Sequence, residues 1–430
     1  MLNRFIAFTL SSLLLSCQGQ SVPFNLRASQ SLFQAQKKAA SGRNPLPLIQ
    51  QFHSSLQGRN PELLKLKYEA MQESPFVFYR ATAFLFYNDL KTQTALNTAP
   101  QVPLQGDFHL ENMGTYIGSN GAMGYDLNDF DEAITGPNSW DLARLAVSIH
   151  LAADETGFNF EERQQLIAHF LKAYLAQVQN LQKQPALLQQ ILDERYLDEK
   201  AGKQVLEARE RFSRPAWLAE MTNGKRFILN DKVRPVQAAE AQMVQAALNQ
   251  YVASRREGAG FYAIKDIASR IAGKGSLGRY RYIVLIEGRS ASAQDDLILE
   301  IKEAITPSAA YAGSPRSRNE ATRIVQAYKS TIPGSDPMLG VSSFNAPDGQ
   351  FSAYVRELLP KETVNLEKVN KFKEYQGFLN SCALIIARMH SRTGQSAAIL
   401  QKTPIAAIQS FADDYAEVVA GDWTMFRSSR

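Results

Sequence analysis

The chain has 430 residues, of which 45% are hydrophobic and 21% charged, with two cysteines and a formal net charge of +5. This is the composition of a globular protein with room for two or three domain-sized units, and it excludes a disordered or fibrous chain. Cys17 and Cys382 are too few for a disulfide framework or a four-cysteine zinc site. The basic residues are scattered, so no specific nucleic-acid partner is expected.

The N-terminus carries a positive charge at Arg4 and an apolar run from Phe5 to Leu15, shorter than the roughly 20 residues a bilayer span needs. It reads as a secretory signal. Leu14-Leu15-Ser16-Cys17 then resembles the lipobox of bacterial lipoproteins. That resemblance implies lipidation of Cys17, a signal segment over 1–17, a tether over 18–30, and an address in the bacterial cell envelope. The protein would be anchored to a membrane through Cys17 and face the periplasm or the cell surface. In the competing reading the segment is a plain secretory peptide and Cys17 is incidental. Cys382, in an apolar run, is expected as a buried core thiol.

Helical patterns occupy Pro61 to Met71, Trp140 to Ala153, and a long amphipathic stretch marked by Leu166, Ile167, Phe170, Leu171, Tyr174, Leu175 and Val178. Gln105 to Asp141 reads as loop-rich. After Gly258 the texture changes. Tyr280 to Glu287 and Leu297 to Glu303 read as strands, Asn319 to Lys329 as a helix, and Gly340 to Leu358 as a strand pair turning at Asp348-Gly349. Phe372 to Arg392 and Pro404 to Val419 are helical again. The expected organisation is a helical lobe over 31–258, a β-rich lobe over 259–360, and closing helices over 361–430 that complete the helical lobe.

Chemistry concentrates between 106 and 141. Gly106-Asp107-Phe108-His109-Leu110-Glu111-Asn112 sets polar groups at short spacing in a loop, and Asp126-Leu127-Asn128-Asp129-Phe130-Asp131-Glu132 follows with four acids in seven positions. Interleaved with Leu127 and Phe130, those acids are expected to be half-buried, and half-buried carboxylates need cations or donors. A divalent metal shared with a phosphorylated ligand is one way to supply them.

Gly-Asp-x-His-x-x-Asn, followed by Asp129 and then Asp141-Leu142-Ala143 twelve residues later, resembles the catalytic core of aminoglycoside phosphotransferase-type kinases. The resemblance implies Asp107 as catalytic residue, His109 bracing its loop and Asp141 fixing that loop from the next helix. It implies Asn112 and Asp129 as ligands of Mg²⁺ on the phosphates of ATP or another nucleotide. Asp126 and Asp131 are competing metal candidates. Gln105 departs from the pattern, which has His before Gly-Asp.

The nucleotide-covering parts come afterwards. Gly273-Lys274-Gly275-Ser276-Leu277-Gly278 is a G-x-G-x-x-G loop followed by a strand, the context of a kinase phosphate loop and not of a dinucleotide fold. By the same likeness Gly273, Gly275, Ser276 and Gly278 cover phosphates, Lys302 on the next strand reaches them, and Glu320 is the lysine's ion-pair partner. The expected fold is therefore α+β: a protein-kinase-like two-lobe fold in circularly permuted order. Ser74-Pro75-Phe76-x-Phe78-Tyr79-Arg80, with Asn128 to Glu132 and Gly275-Ser276-x-Gly278, is similar to an uncharacterised bacterial family known as domain of unknown function 2252.

The leading expectation is an ATP-dependent phosphotransferase acting on an unknown acceptor by phosphoryl or nucleotidyl transfer. The alternative is a catalytically silent kinase-like module that binds an envelope component. A metal-dependent hydrolase is disfavoured, because the five histidines show no paired spacing. An envelope address opposes the first expectation, since little ATP is found there.

Overall fold

The computed structural model describes residues 43–429, which form one compact unit. The signal segment, Cys17 and the 18–30 tether lie outside the described residues. The chain enters through helices α1 (Leu46–Arg59), α2 (Pro61–Met71), α3 (Pro75–Ala81), α4 (Ala83–Leu90) and α5 (Thr94–Asn97). Local chemistry sets the starts of α2 and α3. Asn60 and Ser74 accept the N–H groups of Leu63 and Val77 at 3.0 and 3.2 Å, and each is followed by a proline whose fixed φ suits the first helical position.

The stretch expected as loops, 105–141, holds three strands, which with a strand just before it make two nested antiparallel pairs. Strand β1 (Gln101–Leu104) pairs with β4 (Ile134–Pro137), and between them β2 (Met113–Ile117) pairs with β3 (Met123–Leu127). Helix α6 (Asn138–Glu155) follows and is buried without interruption from Asn138 to Ala153, including the polar side chains of Asp141, Arg144, Ser148 and His150. Helix α7 (Phe160–Lys183) begins with a capping box between Asn159 and Glu162 and buries the predicted stripe from Leu166 to Val178, with Leu175 only partly covered.

After α8 (Glu199–Arg211) and α9 (Arg214–Met221) come β5 (Val233–Pro235), α10 (Ala238–Val252), β6 (Ile264–Arg270), β7 (Arg281–Ile286), β8 (Leu297–Glu303), α11 (Glu320–Thr331), β9 (Gly340–Ala346) and β10 (Gly349–Glu357). The six strands form one antiparallel sheet in the order β5-β6-β7-β8-β10-β9. The two faces of β8 differ in character because side chains alternate along a strand. Leu297, Leu299 and Ile301 pack under α10. Ile298 packs with Leu218 of α9 and Phe227 on the other face, which Glu300 and Lys302 therefore share. Glu300 is fully buried there, held by Arg270, Arg281 and Arg356.

Helices α12 (Phe372–Ser391), α13 (Ser396–Lys402) and α14 (Ile405–Ser428) close the chain, with α12 packed along α7 and α14 along α6. The sheet's own layer starts earlier than the expected boundary at 259. Helices α9 and α10 cover its two faces and β5 extends its edge, so it gathers chain from about residue 214. Helical periodicity alone does not say which lobe a helix covers. No helix among the described residues is long and apolar enough to cross a membrane.

Candidate active site

The nested strand pairs explain why two polar motifs separated in sequence converge. The loop Gln105–Asn112 leads into β2 and Asn128–Ala133 leaves β3, so the β2–β3 hairpin returns the second segment beside the first. The β1–β4 pair ties the outer ends. Gln105 stitches the two segments together. Its side-chain oxygen accepts the Asp107 N–H at 2.7 Å, and its amide nitrogen donates to the Asp129 carbonyl at 2.7 Å. The residue that departs from the kinase pattern thus has a positioning role that was not expected.

One stripe of α6 receives the first loop. Asp141 accepts the backbone N–H groups of Gln105 and Gly106 at 2.7 and 2.9 Å, the role expected of it. Arg144 donates from Nε to Asp107 Oδ1 at 2.7 Å, and Ser148 Oγ accepts the Leu110 N–H at 3.0 Å. These positions, i, i+3 and i+7, share a helix face. Gly106 is required by geometry. Its φ is +84°, and a Cβ there would lie 2.0 Å from the Glu132 carbonyl oxygen.

Asp107 lines a cleft together with His109, Asn112, Asp129, Asp131, Glu132, Gly273, Gly275 and Ser276. Burial pushes the Asp107 carboxyl up while Arg144 opposes the shift. Burial, with Arg80 and Arg144 nearby, holds His109 well below its ordinary value, so the ring is neutral. Its Nδ1 accepts the Glu111 N–H at 3.3 Å, and its Nε2 lies 3.7 Å from Asp107, too far for a hydrogen bond. His109 therefore braces the loop and does not form an ion pair. Asn112 donates to the Asp107 carbonyl at 3.0 Å.

Lys302 is 2% exposed, so it is not a surface-reaching strand lysine. It forms a close ion pair with Asp131 and lies 3.9 Å from Asp129. Burial pushes the Asp129 carboxyl up, but Lys302, the Asp131 N–H, Arg356 and Lys361 together hold it below the usual carboxylate range. Tyr354 of β10 donates to Asp131 Oδ1 at 3.0 Å. Helix α11 clamps the same segment: Arg323 donates to the Asp131, Ala133 and Ile305 carbonyls, and Tyr328 to that of Asn128.

Three expectations are corrected. Glu320 is not the partner of Lys302. It pairs with Arg323 one helical turn on, at 2.6 Å, and leaves Arg323 to hold the acidic segment. Asp126 is not in the cleft. It is 2% exposed and paired at 2.8 Å with Arg388 of α12, because strand alternation turns it into the helical core. Gly278 does not line the cleft with Gly273 and Gly275; it lies against Leu56 of α1, whose side chain a Cβ there would approach to 3.5 Å. Cys382 is buried and free, as expected.

Sequence reasoning missed Arg144, Lys67 and Arg279. For Arg144 the signal was available, as Asp141, Arg144 and Ser148 recur at helical spacing among Leu142, Ala143, Leu145, Ala146, Val147 and Ile149. Lys67 sits in an ordinary amphipathic helix, and only folding brings it to the cleft.

Among the described residues no group of three or more His, Cys, Asp and Glu side chains gathers as a metal site. A Mg²⁺ completed by phosphate oxygens needs only one or two protein ligands, and Asn112 and Asp129 fit that donor set.

No curated protein and no solved structure matches the chain. The family described as an uncharacterized protein conserved in bacteria, DUF2252, matches residues 59–429, which take in nearly all of the described fold and every cleft residue but Phe52, and the chain belongs to that family.

Proposed function

We propose that this protein is a kinase-like phosphotransferase in permuted order, taking a Mg²⁺-bound nucleotide in the cleft and passing a phosphoryl or nucleotidyl group to an acceptor. The observation that carries this reading is that Lys302, buried on a central strand, backs Asp129 and Asp131, two acids that line the cleft together with Asp107 and the glycine loop. The order of parts supports it: a glycine loop joins β6 to β7, the lysine stands on β8, and helix α11 follows.

In this reading Asp107 orients the acceptor hydroxyl and receives its proton, Asp141 and Arg144 hold Asp107 in place, and Lys302 contacts the phosphates. Asn112 and Asp129 hold Mg²⁺, which neutralises phosphate charge when bound. Lipidation of Cys17 and an envelope address belong to the same proposal. They imply a nucleotide or other phosphorylated donor available outside the cytoplasm.

Incubation of the purified full chain with Mg²⁺-ATP and candidate acceptors, followed by mass spectrometry, tests it. Phosphoryl or adenylyl mass should appear on the chain or an acceptor and be lost in Asp107→Ala. Labelling of Asp107→Ala at the wild-type level refutes the assignment. One observation favours a second reading, a silent binding module: Arg144 already engages the Asp107 carboxylate. Nucleotide binding with no transfer to any acceptor would select that alternative.

A further inference from the structure

Two cations that line the cleft, Lys67 buried and Arg279 partly buried, have no use in the chemistry described so far. Lys67 of α2 is 2% exposed, and its Nζ donates to the Gly275 carbonyl at 2.6 Å. Among the described residues no carboxylate lies within ion-pair distance of it. Arg279, just after the glycine loop, has a buried Nε without a hydrogen-bond partner, and its nearest carboxylate, Glu303, is 3.7 Å away. The neighbouring cations are closely paired: Arg80, which lines the cleft, with Glu111, and Lys302 and Arg144 behind it with Asp131 and Asp107.

Lys67 and Arg279 also oppose each other. Burial, then the Arg279 charge, lowers the Lys67 ammonium to about 7, with only Glu132 assisting it. Both oxygens of Glu132 are already taken by Ser308. Among the described residues no carboxylate comes closer than 3.7 Å to either group, so keeping the buried Lys67 ammonium charged beside Arg279 is costly unless an anion joins them. The loop beside them has room for one. A Cβ added at Gly275 would meet nothing within 4 Å, so that backbone faces open space.

We propose that Lys67 and Arg279, with the Gly273–Ser276 backbone, form a phosphate subsite separate from the Lys302–Asp129 pair, so that the cleft is built for a ligand with a phosphate chain. This rests on the nucleotide reading but is testable apart from it. A guanidinium fork and an ammonium beside the exposed Gly273 and Gly275 backbone suit a tetrahedral phosphate, and Lys67 would sense the length of the phosphate chain. No sequence motif marks it, because α2 belongs to the helical lobe and meets the loop only in the fold.

The test is thermal stabilisation of the purified full chain, with Mg²⁺, by AMP, ADP, ATP and inorganic tripolyphosphate, in wild type, Lys67→Gln, Lys67→Arg and Arg279→Gln. Wild type should be stabilised by ATP and by tripolyphosphate. Lys67→Gln and Arg279→Gln should each weaken both by about tenfold or more, the loss of one charge-assisted hydrogen bond, and should change AMP binding less than about twofold. Lys67→Arg should recover most of the affinity.

If Lys67 only pins the glycine loop, AMP and ATP will weaken alike, and the subsite is refuted. Wild type that binds AMP but shows no gain from added phosphates refutes the subsite and leaves the nucleotide reading standing. Lys67-dependent tripolyphosphate binding without any nucleotide binding keeps the subsite and refutes the nucleotide reading. Binding of neither tripolyphosphate nor ATP refutes the subsite.

Discussion

Asp126→Ala separates a structural carboxylate from a metal ligand. Asp126 and Arg388 are each 2% exposed and paired at 2.8 Å. Removing one partner of such a pair leaves a buried charge and costs about 3–5 kcal/mol. Arg388 would keep bonds to the Leu187 and Leu188 carbonyls at 3.0 and 3.3 Å, and to that of Gln190, so some compensation survives. Arg392, close enough to act on Asp126, would lose its opposing charge, which works the other way. The expected cost is therefore about 3 kcal/mol, at the lower end of the range. Urea unfolding followed by circular dichroism measures it. Nucleotide affinity, measured where the variant is fully folded, should change less than about twofold, and Asp126→Ala/Arg388→Met should restore most of the stability. Unchanged stability, within about 0.5 kcal/mol, together with lost Mg²⁺-nucleotide binding would contradict the placement of Asp126 in the core and make it a metal ligand.

Glu300 supplies a pH dependence. Burial pushes its carboxyl up, but Arg281, Arg356 and Arg270 hold it well below the usual range. Its stabilisation is therefore present above the unfolded-state value and lost as pH falls through the folded-state value. Glu300→Gln should lower the melting temperature at pH 7 and flatten its acid limb, and a variant whose acid limb stays as steep as wild type would remove Glu300 as the cause. Gly106→Ala should cost about 1–2 kcal/mol from the left-handed backbone alone, and more from the 2.0 Å approach to Glu132, with loss of activity as Asp107 shifts. Wild-type melting and turnover in that variant would show that the Gly106 backbone is not constrained as described.

Most elements were legible because their signals are local. The α7 stripe, the β7 and β8 runs, the β9–β10 turn at Asp348-Gly349 and the helix from Phe372 all appear close to where periodicity puts them. The strands within 101–137 were not legible. They are short, carry Gly and polar residues, and exist because the two segments pair with each other. In the site, Asp107, Asn112 and Asp129 were readable as a spaced motif and do share the cleft. Which acid Lys302 meets, and that Glu320 turns to Arg323, depend on the packing of α11 against the acidic segment, which spacing does not encode. Lys67 illustrates the same limit across a longer stretch of chain, since its loop partner Gly275 is 208 residues away.

The most direct test of the central claim is a calorimetric titration of Mg²⁺-ATP into the purified full chain, in wild type and Asp129→Asn, each repeated without Mg²⁺. Saturable binding by wild type that weakens at least about tenfold without Mg²⁺ or in Asp129→Asn, with the variant's unfolding curve unchanged, is the predicted result. Binding that is absent in wild type, or equally strong with and without Mg²⁺ and in Asp129→Asn, would contradict a Mg²⁺-nucleotide site in this cleft.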